Sequence, residues 1–382
     1  MKIGIMTFWW SNDNYGQLLQ CYALQKYLRD RGHDAFLIRY KPDNYKKISF
    51  SQKVCFTIKH PFQTLTALYK KIKPITVLSE LEKIGNEKRD FDAFRNSYII
   101  TSECFYKSYD ELVSNPPEAD MYIVGSDQIW NINNEYAFDV INAWFLNFAP
   151  EKVIRTSYSA SFGRNNLSTP VRKRIKPLLE KFSSVTVREN SGKNICNKMR
   201  INSEVVCDPT LLLSVGAYRK LFVPIKITKN YVFCYMLSNT CTFSVRKLSR
   251  WAKDNHLEII YVTGNVGWLS CDYEDEEIEK SYLTIPEWLS YLANAEYVIT
   301  NSFHCSLFSL FFEKKVAIVP LNGAVKNTNN RIDSLFSNLG VKKTSINKNN
   351  FEVLKSLRSQ KINADFIERS KNILNSFEVK NV

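Results

Sequence analysis

The feature that most constrains this chain is a repeated alternation of three things: a short apolar run, a polar loop and an amphipathic stretch of helical spacing. "KIGIMTF" suits a buried strand and "WWSNDNYG" a loop. "QLLQCYALQKYLRDRG" then carries apolar residues three and four apart and ends at Gly32, a C-cap. "DAFLIRY" supplies a second strand. This order indicates a parallel sheet wound by helices, because parallel neighbours can be joined only by a crossover. The pattern returns in "ADMYIVGSDQIWN", with a strand over Met121–Val124 and a polar loop over Gly125–Asn131, and again in "IRTSYSASFG" and "SSVTVRENSG". "SEVVCDPTLLL" closes the series. Its Pro209 bars Asp208 from helical geometry, which marks a domain boundary there.

A second series comes next: "NYVFCYML", "FSVRKLSRWAKDNH", "LEIIYVTG", "TIPEWLSYLANA" with Pro286 in a first helical turn, "EYVITNSFH" and "KVAIVPL". With 382 residues the chain is long enough for two separate cores. The expected fold class is α/β, two Rossmann-like domains facing a cleft. Residues 1–212 form the N-terminal domain, 213–345 the C-terminal domain, and 346–382 a C-terminal helical tail. A basic insertion over residues 44–79 holds seven lysines and no acid, and a surface of that kind can rest on an anionic membrane.

Charge and motifs then narrow the function. The net charge is +14, from 52 basic and 38 acidic side chains, which suits an anionic substrate, a nucleic acid or an acidic surface. The positive charge is not interleaved with a stacking motif and no recognition helix is visible, so no nucleic-acid partner is expected. Nine cysteines, an odd number without a Cys-x-x-Cys pair, read as reduced thiols and a cytoplasmic location. The first residues, "MKIGIMTFWW", lack the pattern of a signal peptide, and no apolar run approaches the roughly 20 residues needed to span a bilayer. Gly16 stands alone where a dinucleotide fingerprint needs three glycines, and no Gly-Lys-Ser/Thr loop occurs. Dehydrogenase, kinase and ATPase readings lose their support. His33, His60 and His256 sit in turn-like contexts without metal-ligand spacing, and "CDYEDEEIEK" reads as a solvated acidic loop. Neither metal nor cofactor is expected.

Five loops at strand carboxyl ends carry polar groups: Asn12–Gly16, Ser126–Asp127, Ser159–Gly163, Arg188–Ser191 and Asn301–His304. Ligands of open α/β sheets bind in that position. "NDNYG" leads into a helix N-terminus, whose free amides favour an anion or a sugar hydroxyl. His304 begins a helix too apolar to be exposed. It reads either as a satisfied core histidine or as a general acid, since an anion held at that N-terminus would favour the cationic ring.

The ordered set "NYGQLLQCYAL", "IVGSDQIWN", "YSASFG", "TVREN", "VCDPTLLL" and "VITNSFHCSLFSLFF" resembles the polysaccharide pyruvyl transferase family. The resemblance implies a GT-B-like fold and transfer of a pyruvyl group from phosphoenolpyruvate to a sugar of a bacterial surface polysaccharide precursor, as a ketal. It implies His304 as the acid and Asp127, or the departing phosphate, as acceptor of the hydroxyl proton. Arg188, Asn301, Ser302 and Arg331 then hold the donor, and Asn14, Gly16, Ser126, Ser161 and Phe162 line the acceptor side. The expected partners are phosphoenolpyruvate and a saccharide acceptor, lipid-linked at the inner membrane face. The alternative is a GT-B glycosyltransferase using a sugar nucleotide. One departure stands out: Ser302-Phe303 precedes His304 where some members have Arg-Leu.

Overall fold

A computed structural model describes residues 1–43, 83–132, 138–237, 243–264, 280–321 and 329–379. The basic insertion and the acidic run lie almost wholly outside these residues.

The first unit holds five parallel strands: β1 (Lys2–Met6), β2 (Asp34–Tyr40), β3 (Thr101–Tyr106), β4 (Met121–Val124) and β5 (Ile154–Ser157), in the order β3-β2-β1-β4-β5. The short pair β6 (Thr186–Val187) and β7 (Glu204–Val205) continues beyond β5 through isolated bridges at Thr156–Ser184 and Ala160–Val187. The second unit repeats the arrangement with β8 (Tyr231–Met236), β9 (Glu258–Thr263), β10 (Lys280–Ser281), β11 (Tyr297–Thr300) and β12 (Lys315–Ile318). Its order, β10-β9-β8-β11-β12, is the same winding with all strands parallel. In each sheet the winding reverses beside the first strand, between β1 and β4 and between β8 and β11. A crevice opens at such a switch point, and the loops after these strands line it.

Seven helices frame this crevice or join the two units. These are α1 (Tyr15–Asp30), α2 (Phe91–Tyr98), α3 (Asn190–Lys198), α4 (Ile285–Asn294), α5 (Phe303–Phe311), α6 (Asn329–Asn338) and α7 (Ala364–Val379). Asn14 starts α1 by accepting the amide of Gln17, and α4 begins with a full capping box between Thr284 and Glu287. α5 is buried from Phe303 to Leu310, as its mostly apolar sequence favours, and Ser306 and Ser309 turn their hydroxyls onto backbone carbonyls one turn back.

The two units share one hydrophobic core. Tyr15 of α1 stacks on Trp288 of α4 with ring centroids 5.1 Å apart, a contact worth about 0.5–1.5 kcal/mol beyond the area it buries. The Tyr15 hydroxyl donates to the Leu283 carbonyl at 2.7 Å. Buried Arg89 reaches across to the carbonyls of Thr263 and Gly264. The expected helical tail is firmly packed. Phe351 and Leu354 lie in the second unit's outer core, and α7 returns to the first unit. There Ser370 Oγ accepts the Cys207 amide at 2.9 Å and Arg369 donates to the Val205 carbonyl at 3.0 Å. Ile367, Leu374 and Phe377 bury the apolar face of α7 in the shared core, which a free tail would leave in water.

Candidate active site

β11 ends at Thr300, whose Oγ1 donates to the Tyr235 carbonyl and accepts the Ser302 amide. The chain therefore turns sharply out of the sheet. Ser302 Oγ then accepts the Cys305 amide and starts α5, which makes His304 the second residue of that helix. The imidazole crosses to the first unit and lies on Gly16 at the start of α1. A Cβ on Gly16 would stand 2.1 Å from Nδ1 and 2.2 Å from Cγ, so only glycine admits the ring. His304 is 5 % exposed.

Nε2 of His304 stands 3.4 Å from Oδ2 of Asp208, the residue after Cys207 at the end of the first series of strands. Asp208 is 2 % exposed and fully engaged. Its Oδ2 accepts from Ser126 Oγ at 2.8 Å and from Arg188 Nη1 at 3.2 Å. Its Oδ1 accepts from the amide and the hydroxyl of Thr210. Burial alone would raise this carboxyl's pKa. The neighbouring His304 and Arg188 charges, with the Thr210 amide, outweigh burial and hold it well below the usual carboxylate range.

Arg188 comes directly after β6 and is 4 % exposed. Its guanidinium carbon lies 4.1 Å above the centre of the Phe303 ring, a cation–π contact from one unit to the other. Nε is 3.6 Å from Glu189 Oε2, while Nη2 is buried without a hydrogen-bond partner. Glu189 Oε1 accepts from Ser161 Oγ at 2.7 Å, and Ser161 Oγ accepts the Gly163 amide in turn. Gly163 has φ +62°, and a Cβ there would collide with Gln128, so this turn requires glycine. Arg331 on α6 has its Nε enclosed and unpartnered. Burial, then repulsion from Arg188, brings its pKa down to about 10, against the attraction of Glu189 and Asp127.

His304, Arg188, Arg331, Asp127, Ser126, Ser161 and Gly16 thus gather where the two switch points meet. The other expected site residues take local roles. Asn14 caps α1, Ser302 caps α5, and Asn301 Oδ1 accepts the Leu237 amide to tie the ends of β8 and β11 together. Phe162 is fully buried against Trp130, so it offers no surface to an acceptor; it is a core residue of the first unit. Sequence reasoning gives no role to two carboxylates: Asp208 is read only as a boundary residue, and Glu189 lies unremarked within the Arg188–Ser191 loop. The available signal is position: Asp208 directly follows the apolar run Val205–Cys207, and Glu189 is the second residue after Val187. Among the described residues no cluster of three or more His, Cys, Asp or Glu is placed to hold a metal ion. None of the described helices is long and apolar enough to cross a membrane.

The family model of polysaccharide pyruvyl transferase matches residues 14–322. The chain belongs to the polysaccharide pyruvyl transferase family. This pyruvyltransferase also shares its fold with solved GT-B-type structures. It is similar to S. aureus MnaA in complex with UDP, at 12 % identity and TM-score 0.50, over 93 % of this chain and 87 % of that one. A second neighbour is an alpha-glucosyltransferase in complex with UDP and DNA, at 10 % identity and TM-score 0.50, over 93 % and 89 % of the two chains. A UDP-GlcNAc 2-epimerase from Methanocaldococcus jannaschii aligns over 98 % and 100 % at 13 % identity, with TM-score 0.46. At such identities the likeness concerns the GT-B fold alone. No curated protein gives a match.

Proposed function

We propose that this pyruvyltransferase takes its pyruvyl group from phosphoenolpyruvate and places it on two hydroxyls of one sugar in a bacterial surface polysaccharide precursor, as a cyclic ketal. His304 in its cationic form gives its proton to the methylene carbon of the donor, which becomes the methyl group. The adjacent carbon turns cation-like and is attacked by a sugar hydroxyl. That hydroxyl's proton passes to Asp127 or to the phosphate. The carbon–oxygen bond to phosphate breaks, and a second hydroxyl closes the ring and gives up its own proton. Two hydroxyl protons are thus released for the one delivered to carbon. One restores His304 and the other leaves with phosphate.

The observation that carries this reading is the meeting of His304, Arg188 and Arg331 at the crevice, where both arginines hold enclosed nitrogen that no hydrogen bond satisfies. Buried, unsatisfied N–H groups are costly, at about 1–3 kcal/mol each, and an anion carrying several acceptor oxygens relieves them. Two arginines face three carboxylates, Asp208, Glu189 and Asp127, so a polyanionic donor needs a further positive charge. The helix N-termini at Gly16 and His304 and the cationic imidazole supply it. The acceptor in this reading is lipid-linked. The protein works in the cytoplasm, and its basic insertion rests on the inner leaflet.

Thermal shift with phosphoenolpyruvate beside a panel of sugar nucleotides tests the donor, followed by product mass. Stabilisation by phosphoenolpyruvate and the mass increment of a pyruvyl unit are expected. Stabilisation by a sugar nucleotide alone, with transfer of a hexose unit, replaces this reading with glycosyl transfer.

A further inference from the structure

We propose that Asp208 is the positioning residue of this enzyme, a carboxylate fixed in the first unit that orients the His304 ring from the opposite unit and stabilises its cationic form. The inference rests on the reading of His304 as the acid. It adds a residue with no previous part in the chemistry and makes the acid a product of contact between the units.

The geometry supports this on three counts. First, Asp208 is the node of the cluster. It binds Ser126 after β4, Arg188 after β6, Thr210 in its own turn and His304 on α5, four segments held by one side chain. Second, it cannot turn away. Both oxygens are engaged within the first unit, and Pro209 comes immediately after, so the carboxylate is fixed before His304 arrives. Third, the ring is confined from the other side. The imidazole lies on Gly16, where a Cβ would collide with Nδ1 and Cγ, while Nε2 faces Oδ2.

The remaining groups near Asp208 do not compete for this role. Tyr158 and Tyr218 are pushed far up, by burial first, and Cys207 is pushed up to about 11, so all three stay neutral. Arg188 is the permanent cation in contact with the carboxylate, with Glu189, Arg331 and Asp127 grouped around it. The 3.4 Å separation is an ion-pair contact whenever the ring is protonated. A further approach of a few tenths of an ångström turns it into a charge-assisted hydrogen bond, at about 2.7–2.9 Å. During proton delivery Asp208 stays ionised. The proton leaves His304 for carbon, a loss that the carboxylate opposes, so the part of Asp208 is to orient and charge the ring beforehand.

Asp208→Asn tests this in the full-length enzyme. It keeps the shape and an oxygen for Thr210, but removes the charge and turns an amide N–H toward Arg188 and His304. Three results are expected. The kcat falls at least about 100-fold while the donor KM changes less than tenfold. The pH at which activity falls on the alkaline side moves lower. The Asp208→Asn, His304→Gln double variant is no slower than His304→Gln alone, because the two act as one unit. A purely structural Asp208 instead gives additive losses and an unmoved pH profile, and either result overturns the inference. A readout without turnover separates it from the choice of donor. With four histidines in the chain, a ring N–H resonance lost in His304→Gln is assignable, and it should also be lost in Asp208→Asn. Its survival in Asp208→Asn sinks the inference whatever the donor is. Its loss in an enzyme inert toward phosphoenolpyruvate keeps the Asp208–His304 pair and overturns the donor alone.

Discussion

The two units wind their strands in the same order, yet the equivalent strands β4 and β11 end differently. β4 runs into Gly125-Ser126-Asp127, where Asp127 takes a left-handed φ of +68° and the chain continues as an irregular loop. β11 runs through Asn301 and Ser302 directly into α5. The first ending supplies a hydroxyl to a fixed carboxylate, and the second supplies an imidazole at a helix N-terminus. The first ending thus serves a fixed charge, while the second brings the group that can change its charge. The same topology thus yields complementary halves of one site, because the loop after a strand is free to vary while the sheet is not.

The sharpest way to break this division is His304→Gln. Turnover should fall by about 100- to 10,000-fold, the range of a lost general acid, while the melting temperature stays within a few degrees of wild type. A large drop in melting temperature with activity retained would make the second unit's contribution structural. Gly16→Ala attacks the contact between the halves. Alanine favours a helix more than glycine, so any loss must come from the Cβ that would sit 2.1 Å from the ring. Activity should drop more than tenfold, with a cost of about 1–3 kcal/mol in urea unfolding, as for other overpacked sites.

Arg188→Lys sharpens the first unit's part. A lysine keeps the charge but loses the forked donors, so the donor KM should rise about tenfold with a smaller change in kcat. An unchanged KM would confine Arg188 to its ion pairs with Asp208 and Glu189. A smaller effect concerns acid stability. The Asp208 carboxyl is lowered in the folded state, so its contribution is fully present above the unfolded value near 4 and fades as pH falls through the folded one. Wild type should therefore lose melting temperature between about pH 4 and 2 more steeply than Asp208→Asn, as calorimetry would show. Least dramatic is thiol labelling. Exposed Cys104 should react in the native protein, whereas Cys21 and Cys305, whose pKa values burial pushes up to about 12, should react only after unfolding.

Much of this molecule is legible in its residues. The alternation of apolar runs and amphipathic stretches reports backbone periodicity, which is local, so both windings and the placement of polar loops at strand ends can be read directly. The importance of His304 is visible too, because an ionisable ring at the start of a largely apolar helix conflicts with its surroundings. Its alternative as a core histidine is not wholly misplaced, since the ring is buried, but its neighbours are Asp208 and Gly16 rather than hydrocarbon alone. Asp208 and Glu189 are legible only as positions. Nothing near "VCDPT" in the sequence announces that a ring almost a hundred residues later will reach it. Phe162 misleads for a related reason. A phenylalanine in a Ser- and Gly-rich loop looks available, yet its ring fills the space beside Trp130.

By itself, then, the sequence determined two parallel wound sheets, the crevice between them and the loops that border it, because hydrogen-bond periodicity and hydrophobic patterning act over a few residues at a time. Only the tertiary structure decided which side chains became partners. The pairing of Asp208 with His304, the seat of the ring on Gly16 and the return of α7 to the first unit depend on how two separately formed surfaces pack. The fit between such surfaces depends on side chains far apart along the chain.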